Sequence, residues 1–344
     1  MGTLLCPLYL STPIKRNFWG LKRYVFEMES FFIELRVGRK KKDVPAIKIG
    51  DIIVIFVGKI IKKALIYDED WNIFSLNESI NLIINEIKKS HLKADIFTFA
   101  QKIPNVRPYF KYHNEWDNVA AIPITSYQDW LSSLSSDARK DLKRAERMGV
   151  ITKTVDFSDE LVSEIIKIHN ESPIRQGRYF VHYGKDFDTV KKEYATYPDR
   201  SEFIVAYHNN ELIGLIKIVY VGELACIMEI LSKISHYDKR PTNALIAKAV
   251  EICSNKQILY LTYGKYYYGN KKRDSVVDFK KRLGFIKILY PRYYIPLTLK
   301  GRIAIFFGFH RDLLDLAPSF LIYLYRILRS MIIKKKYSQI IKRK

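Results

Sequence analysis

Asn170–Phe187 is a segment of this chain whose residue types and spacing could do chemistry. Pro173, Gly177 and Gly184 mark it as a loop. A buried polar group without a partner costs about 1–3 kcal/mol, so such a segment either lies solvated at the surface or lines a polar pocket. Three interspersed aromatic residues favour the pocket. Its hydrogen-bonding side chains are Asn170, Glu171, Arg175, Gln176, Arg178, His182, Tyr183, Lys185 and Asp186.

The cationic members of this segment predict the kind of ligand. Guanidinium and ammonium groups bind carboxylates and phosphates through charge-assisted hydrogen bonds. A sugar nucleotide, a lipid-linked sugar or an amino acid would fit. The predicted substrate-binding residues are Arg175, Gln176, Arg178, Tyr183, Lys185 and, after a later strand, His236.

Glu229 is the first candidate for a general base. It lies in the apolar stretch ACIMEIL, a predicted strand. Burial disfavours the charged form of a carboxylate, so its pKa is expected to be raised, which suits a base working near neutral pH. The alternative is that Glu229 faces solvent or pairs with Lys217. Glu171 and His182 are the other candidates for this role.

A second group of polar residues precedes the predicted helix Asn243–Cys253. Unpaired N–H groups and the helix dipole favour an anion at this position. Lys239, Arg240, Thr242 and Asn243 are therefore predicted to contact phosphate, with Lys280 adding charge. The alternatives are simple helix capping by Thr242 or Asn243 and a solvated face around Lys280.

Composition limits the classes of protein. The chain has 344 residues, and its 48% hydrophobic content excludes disorder over most of its length. The net charge of +22 predicts attraction to nucleic acid, to an anionic membrane or to a phosphate-rich ligand. Three scattered cysteines offer neither a disulfide framework nor metal spacing, so we expect a reducing compartment and no metal. We expect a cytoplasmic protein, or one peripheral to the inner face of the membrane.

Periodicity predicts the elements that position these residues. Strands are expected at Ile47–Val57, Lys59–Tyr67, Asp95–Ala100, Phe203–Tyr207, Leu212–Tyr220, Ala225–Leu231, Ile258–Thr262 and Phe285–Leu289. Helices are expected at Ser75–Lys89, Ser126–Gly149 with a break at Ser135–Ser136, Leu161–Asn170, Asn243–Cys253 and Val276–Leu283. A mixed sheet flanked by helices, an α/β (α+β) fold, follows from this order.

Two basic features leave alternatives open. Lys140, Lys143, Arg144 and Arg147 form a stripe on the predicted helix, which is either a solvated face or a contact for phosphate or RNA. The tail, Leu313–Ile333 followed by KKKYSQIIKRK, is amphipathic and basic. It either docks on the body or lies at an anionic membrane surface.

Three stretches resemble the GNAT-like and Fem-type acyltransferases. SYQDWLSSLSSDARKDLKRAERMGV is similar to the tryptophan and basic helix that open their second half. Arg240–Gly264 resembles their helix-then-strand unit, and DSVVDFKKRLGF their closing helix. The resemblance covers about Ala94–Pro296 and implies a GNAT-like mixed sheet, with residues 1–125 as a degenerate second GNAT-like half in a twin arrangement. It further implies a basic connecting helix at 126–149, a catalytic half at 150–300 and a tail at 301–344.

The resemblance also implies a function, an N-acyltransferase that moves an acyl group to a small-molecule amine by direct attack. Glu229, His182, Glu171 and Tyr263 are then the catalytic candidates, the last as an acid. Acyl-CoA, such as acetyl-CoA, is the expected donor, but the turn YDKRPTN lacks the glycines of the usual pyrophosphate signature. The alternatives are a Fem-type transfer from aminoacyl-tRNA to a cell-envelope precursor, and a non-catalytic scaffold that binds an anionic polymer or membrane.

Overall fold

The computed structural model describes residues 30–37, 40–71, 76–268 and 275–311. The predicted tail helix Leu313–Ile333 lies outside these residues. The described chain forms two compact units. One contains the described residues up to Glu115 together with Pro291–His310, and the other contains Trp116–Tyr290. The domain boundaries expected from the sequence stay a prediction.

The first unit is a sheet with one helix crossing between strands. Its strands lie in the order β1-β2-β3-β4-β5-β14, and only β4 and β5 pair in parallel. Ile80, Ile83, Ile84 and Ile87 of the crossing helix pack on the sheet because they recur at helical spacing. The elements are β1 Ser30–Val37, β2 Lys40–Ile49, β3 Ile52–Val57, β4 Lys63–Ile66, α1 Leu76–Lys89, β5 Ile96–Ala100, β14 Ile286–Pro296 and α8 Leu299–Phe306.

The second unit holds the segments that the sequence analysis singled out. Its strand order is β6-β13-β12-β11-β10-β7, with β12 and β13 parallel and the other pairs antiparallel. The elements are β6 His113–Pro123, α2 Tyr127–Ser133, α3 Ser136–Arg147, β7 Ile151–Val155, α4 Asp159–Asn170, β8 Ile174–Arg175, β9 Arg178–Tyr179, α5 Phe187–Tyr194, β10 Ser201–His208, β11 Glu211–Val221, β12 Leu224–Ser232, α6 Pro241–Asn255, β13 Tyr260–Thr262 and α7 Ser275–Arg282.

The two units share the same connection between strands. In each, an antiparallel meander leads into a helix that returns to a strand lying parallel to the last strand of the meander. Three residue pairs join the parallel strands in both cases, Lys63–Leu65 with Ile96–Thr98 and Leu224–Cys226 with Tyr260–Thr262. A twin arrangement is expected from the sequence, and the strand pairing shows the repeated connection.

Each unit takes its closing strand from a distant part of the chain. β5 pairs with β14, so residues 96–100 meet residues 292–296. β13 pairs with β6, which directly follows the first unit in sequence. Tyr293 is completely buried in the first unit, where its ring lies 5.0 Å from that of Phe99. The first unit is therefore completed by residues almost 200 positions further along the chain.

The predicted α/β class with a mixed sheet and flanking helices is confirmed. The predicted break between two helices is confirmed as well, since Ser126 and Ser135 accept hydrogen bonds from Asp129 N and Ala138 N and so cap α2 and α3. The strand predicted at Ile47–Val57 is wrong. Gly50, with φ of +59°, turns the chain between two antiparallel strands.

Several elements escaped the sequence analysis. β1, β6, β7, α5 and α8 have no counterpart among the expected elements. β7 has exposed or half-buried residues throughout, so it lacks the apolar alternation that marks a strand. Among the described residues, no helix combines the length and the apolar character needed to cross a membrane.

Gly284 offers a test of packing at the end of α7. Its φ is +83°, and an added Cβ would lie 2.9 Å from Trp130 Nε1, which donates to Leu283 O. Gly284→Ala should therefore lower the free energy of unfolding by about 2–4 kcal/mol, from backbone strain and from steric overlap. Urea denaturation of the full chain measures this loss.

Gly222→Ala is the matched control. Gly222 has φ of +59°, but no atom lies within 4 Å of the added Cβ. This variant should lose only the backbone component, about 1–2 kcal/mol. Equal losses in the two variants would contradict the close packing of Trp130 against Gly284.

Candidate active site

The candidate site lies where two parallel strands stop pairing. β12 pairs with β13 only over Leu224–Cys226. β12 then runs on to Ser232, whereas β13 ends at Thr262. No ladder pair within the described chain joins residues 227–232 to β13. Beyond Cys226 this side of β12 thus has no strand partner in the described chain, and such a strand edge is a place where a ligand can bind.

A bulge aims one carboxylate at this opening. Ile227 pairs with Ile218, but Glu229 pairs with Lys217, so Met228 is an extra residue on β12. Such a bulge re-aims the side chains that follow it. The Glu229 side chain is 14% exposed.

The surroundings of Glu229 bring its pKa close to neutral. Burial raises its pKa to about 7, partly opposed by the nearby Lys185 ammonium and reinforced by the Glu193 carboxylate. Lys217, its register neighbour, donates three hydrogen bonds to the Tyr194 carbonyl and to Thr196. These three bonds use the full donor capacity of an ammonium.

A chain of polar contacts leads from Glu229 to α5. His182 Nε2 lies 3.7 Å from Glu229 Oε2, and His182 Nδ1 lies 3.1 Å from Lys185 Nζ. Lys185 Nζ also donates to Glu193 Oε1 over 2.8 Å. Because an ammonium can only donate, His182 Nδ1 must accept, which leaves the proton of a neutral ring on Nε2, facing Glu229.

The His169 ring packs against the ring of His182. Their ring centroids are 4.9 Å apart, and His169 Nε2 lies 3.3 Å from the Tyr194 hydroxyl. Burial, and to a smaller extent the charges of Lys185 and Arg175, lower the pKa of His169 to about 3. His169 is therefore neutral at physiological pH and packs without adding a charge.

Most of the remaining polar residues of Asn170–Phe187 fix the segment in place. Asn170 Oδ1 accepts from Gly184 N, and Asp186 caps α5. Glu171 accepts from Ile234 N, Ser235 N and Ser235 Oγ, and these bonds outweigh its burial and lower its pKa. The geometry therefore favours Glu229 over Glu171 as a base.

Arg175 is held in the same way. It donates to Ser232 O and Ile168 O over 2.8 and 2.6 Å, and its guanidinium lies over the Phe180 ring. Ser232 ends β12, so Arg175 ties the segment to the strand that carries Glu229. Of the other predicted substrate-binding residues, Gln176 is exposed at the tip of the β8–β9 hairpin, Arg178 is half-buried on β9 and Tyr183 is exposed.

Tyr263 faces Glu229 from the end of β13. Its pKa is raised by burial first and then by the negative charge of Glu229, so the phenol keeps its proton. Lys280 Nζ donates to Tyr263 O and Lys265 O and lies 4.5 Å from the Tyr263 ring. Lys280 is buried and fixes the backbone next to Tyr263, which is a positioning role rather than the phosphate contact expected from the sequence.

The start of α6 holds the predicted anion-binding residues. Arg240 precedes Pro241 in the left-handed conformation, with φ of +56°, and no side chain caps the helix there. Thr242 Oγ1 lies 3.1 Å from Ser232 Oγ at the end of β12. Arg240 Nε lies 3.0 Å from Asp141 of α3, and Lys239 pairs with Asp238. The charges are thus partly balanced. Few N-terminal amides of α6 are left for an anion, because Pro241 has no N–H and the N–H groups of Asn243 and Ala244 donate to Arg240 O.

His236 and the basic stripe of α3 make no contact with Glu229 among the contacts described above. His236 contacts Glu211, Ser235 and the His208 ring. The stripe Lys140, Lys143, Arg144 and Arg147 is exposed on α3, and both of its interpretations remain.

One group in the first unit has the composition of a metal site. His113, Glu115 and His310 bring their ligand atoms within 4.8 Å of one another. His310 Nε2 lies 2.9 Å from Glu115 Oε1, and His113 Nε2 lies 3.8 Å from the same oxygen. An ordinary hydrogen bond between His310 and Glu115 accounts for this contact, and the group takes no part in the function proposed below.

Sequence reasoning missed three residues that shape the candidate site: His169, Glu193 and Lys217. His169 stands next to Asn170, at the edge of the polar segment. Glu193 lies eight residues after Lys185, in a helix that was not predicted. Lys217 was considered only as a partner for Glu229, although a lysine inside the apolar run LIGLIKIVYV signals a buried polar contact.

In the second unit a meander, a crossing helix and a parallel strand that pairs with β12 over only three residues frame the candidate site. No protein-family profile and no curated protein matches the sequence. Among solved structures, the chain is similar to FemX, with 11% identity and a TM-score of 0.55 over 80% of this chain and 90% of that one. The likeness establishes the fold and not the substrates.

Two further solved structures are similar over most of their length. The C-terminal domain of a putative lysylphosphatidylglycerol synthetase from Agrobacterium fabrum is 11% identical, with a TM-score of 0.48 over 75% of this chain and 84% of that one. L-PGS from Bacillus licheniformis is 13% identical, with a TM-score of 0.46 over 83% and 86%.

Because the pKa of Glu229 is raised, its substitution is expected to increase the stability of the folded protein at high pH. Its folded pKa of about 7 exceeds the ordinary 4.5, so ionisation costs the folded state stability as pH rises from 4.5 to 7. Glu229→Gln should leave stability unchanged at pH 4 and raise the free energy of unfolding by up to about 3 kcal/mol at pH 8. Urea denaturation at both pH values measures this difference.

Glu171→Gln is the control, because this substitution is expected to lower the stability of the folded protein instead of raising it. The pKa of Glu171 is lowered, so its stabilisation is present above the ordinary 4.5 and is lost as pH falls through the folded value. This variant should lose about 2 kcal/mol at pH 7, because three donors face a weaker acceptor. A loss of stability for Glu229→Gln at pH 8 would refute the described environment of Glu229.

Proposed function

We propose that this protein is a transferase that moves an acyl group from an activated donor to an amine, with Glu229 as the general base. The observation that carries the proposal is the place of Glu229: a carboxylate directly after a bulge, at the opening between β12 and β13, with a pKa near 7. A carboxylate with no function would not be expected at such a position, because burial makes its ionisation costly.

The proposed reaction starts with an ammonium acceptor in the cleft. The Glu229 carboxylate takes one proton, and the free amine attacks the donor carbonyl carbon. A C–N bond forms while the bond from that carbon to the leaving sulfur or oxygen breaks. The leaving group takes a proton, and the second proton of the attacking nitrogen is released. Both substrates aligned in one cleft make a covalent enzyme intermediate unnecessary.

His182, Lys185 and Glu193 support this step by position. The Lys185 ammonium, held by Glu193, keeps the Nε2–H of His182 directed at Glu229. The His182 contact with Glu229 is 3.7 Å, longer than a hydrogen bond, and catalytic contacts often tighten only when substrate is bound. Tyr263, which keeps its proton, is the candidate to protonate the leaving group or to bind the carbonyl oxygen.

For the acyl donor, we propose acyl-CoA as the first candidate. An uncapped helix start with Arg240 and Lys239 beside it favours pyrophosphate, and this start lies next to the end of β12. Aminoacyl-tRNA is the second candidate. It is supported by the glycine-free turn at Tyr237–Asn243 together with the fold shared with FemX. In that case the acceptor would be a cell-envelope precursor.

Removing the base should abolish transfer without unfolding the protein. Glu229→Gln is expected to lower kcat/KM on the order of 10²–10⁴-fold. The wild-type kcat/KM should rise with pH and level off above about pH 7, because only ionised Glu229 accepts a proton. Product formation from a panel of acyl-CoA and aminoacyl-tRNA donors with amine acceptors, followed by mass spectrometry, measures both effects.

Glu164→Gln is the control for this experiment, since Glu164 is a glutamate of α4 that pairs with Lys167 at the surface. It should leave kcat/KM within twofold of wild type. If Glu229→Gln retains full activity, Glu229 is not the base. If no donor in the panel is turned over while anionic polymers still bind, the non-catalytic scaffold replaces the proposed enzyme.

If Arg240 binds the anionic donor, its substitution should raise the KM for that donor. Arg240→Asn, which tolerates the left-handed backbone, should raise KM for an anionic donor about tenfold or more and change kcat less, because the guanidinium contacts the donor away from the reacting carbonyl. Lys167→Gln on α4 serves as a charge-matched control and should not change KM. An equal loss of kcat in Arg240→Asn would place Arg240 at the reacting atoms instead.

A further inference from the structure

α8 presents its large apolar residues to solvent. Gly301 and Ala304 are buried, whereas Leu299, Ile303 and Phe306 are 72%, 49% and 84% exposed. In a helix of a soluble unit the large apolar residues normally face the core. The arrangement is reversed here, so the unit to which α8 belongs does not explain these residues.

The inward face of α8 cannot turn outward. An added Cβ at Gly301 would lie 2.0 Å from Asp95 O, so the helix backbone packs directly against the chain entering β5. Thr298 Oγ1 donates to Asp95 Oδ1 and also accepts from Gly301 N as the cap of α8. The reversed orientation is therefore fixed by close contacts at both Gly301 and Thr298.

The exposed surface extends into the turn after the helix. Phe307 and Phe309 are 63% and 60% exposed, and their rings stack at 5.9 Å. Phe306 and Phe307 meet edge to face at 5.1 Å. We call Leu299, Ile303, Phe306, Phe307 and Phe309 the aromatic surface. Contiguous exposed apolar groups of this kind mark interaction sites.

The charge around the aromatic surface selects its partner. Lys300, Arg302 and Arg311 alternate with or follow these residues in the sequence, and Leu297–Arg311 contains no acidic residue. Lys300 Nζ lies 3.6 Å from Asp95 Oδ2, so its charge is partly balanced, whereas Arg302 and Arg311 add net positive charge to this stretch. Aromatic and aliphatic side chains surrounded by cations are suited to the boundary between anionic headgroups and acyl chains. The net charge of +22 and the acid-free C-terminal sequence KKKYSQIIKRK provide long-range attraction to the same surface.

We propose that the aromatic surface of α8 inserts into the interface of an anionic lipid membrane and so holds this protein at the bilayer. The proposal is independent of the transferase activity. Two attractions combine in it: burial of apolar side chains among lipids and electrostatic attraction to headgroups. Binding should therefore require both the phenylalanines and anionic lipid.

The first experiment measures binding of the full chain to vesicles. Wild type should sediment with vesicles of phosphatidylcholine and phosphatidylglycerol at 70:30, and should bind pure phosphatidylcholine at least tenfold more weakly. Phe306→Ser/Phe307→Ser/Phe309→Ser should lower the partition coefficient at least tenfold while circular dichroism and Tm stay unchanged, since all three side chains are exposed.

A second triple variant is the matched control. Leu82→Ser/Ile151→Ser/Leu259→Ser removes three exposed apolar residues that lie outside the aromatic surface. It should bind vesicles within twofold of wild type. Equal losses in the two triple variants would show general surface stickiness and overturn the proposal.

The second experiment tests insertion at one residue. In Phe307→Trp, tryptophan emission after subtraction of the wild-type signal should shift to the blue on addition of anionic vesicles and should be quenched by brominated acyl chains. An unchanged emission overturns the proposal even if the protein binds through its tail. Suppose instead that light scattering shows a dimer of the wild type, that the triple phenylalanine variant is a monomer, and that neither binds vesicles. The aromatic surface would then be a contact with a second copy of this chain, and the proposal would be overturned.

Discussion

The candidate site depends on one constraint: β12 has a parallel neighbour for only three residues. Backbone groups inside a sheet are normally paired, and a strand that loses its partner must find another donor or acceptor. At this point the strand also carries a bulge, and the first register pair after the bulge is Glu229 with Lys217. The opening follows from the end of the β12–β13 ladder, and the place of the Glu229 carboxylate follows from the bulge in the neighbouring β11–β12 ladder.

Burial around this opening divides the charged residues into two kinds. The side chains of Glu229 and Glu171 are similarly exposed, 14% and 18%, but Glu229 has few donors, so desolvation raises its pKa, whereas Glu171 has three donors and its pKa falls. The same contrast separates Lys217 and Lys280, whose ammonium groups donate to backbone carbonyls, from Lys185, which bridges His182 and Glu193. Residue type alone does not distinguish a structural charge from a chemical one. The number of donors and acceptors within reach does.

Elements with a local signal could be predicted from the sequence, and elements that depend on distant strands could not. Apolar runs such as Leu212–Tyr220 and well-capped helices such as α3 have local signals, and both lie where they were predicted. β7 and β6 have no such signal, since their place depends on strands far along the chain. Likewise, the polar segment Asn170–Phe187 was found from composition, but its division into anchors and chemical groups needed the contacts of Ser232 and Ile234.

The exchange of closing strands has a consequence for how the chain is made. The edge of β5 is covered by residues 292–296, which leave the ribosome long after β5 itself. During synthesis of the intervening residues the nascent first unit carries an open sheet edge, a recognised template for unwanted pairing. This edge of β5 gains its partner only when the last strand emerges, and C-terminal truncation before Pro291 would leave the amino-terminal unit incomplete rather than merely shorter.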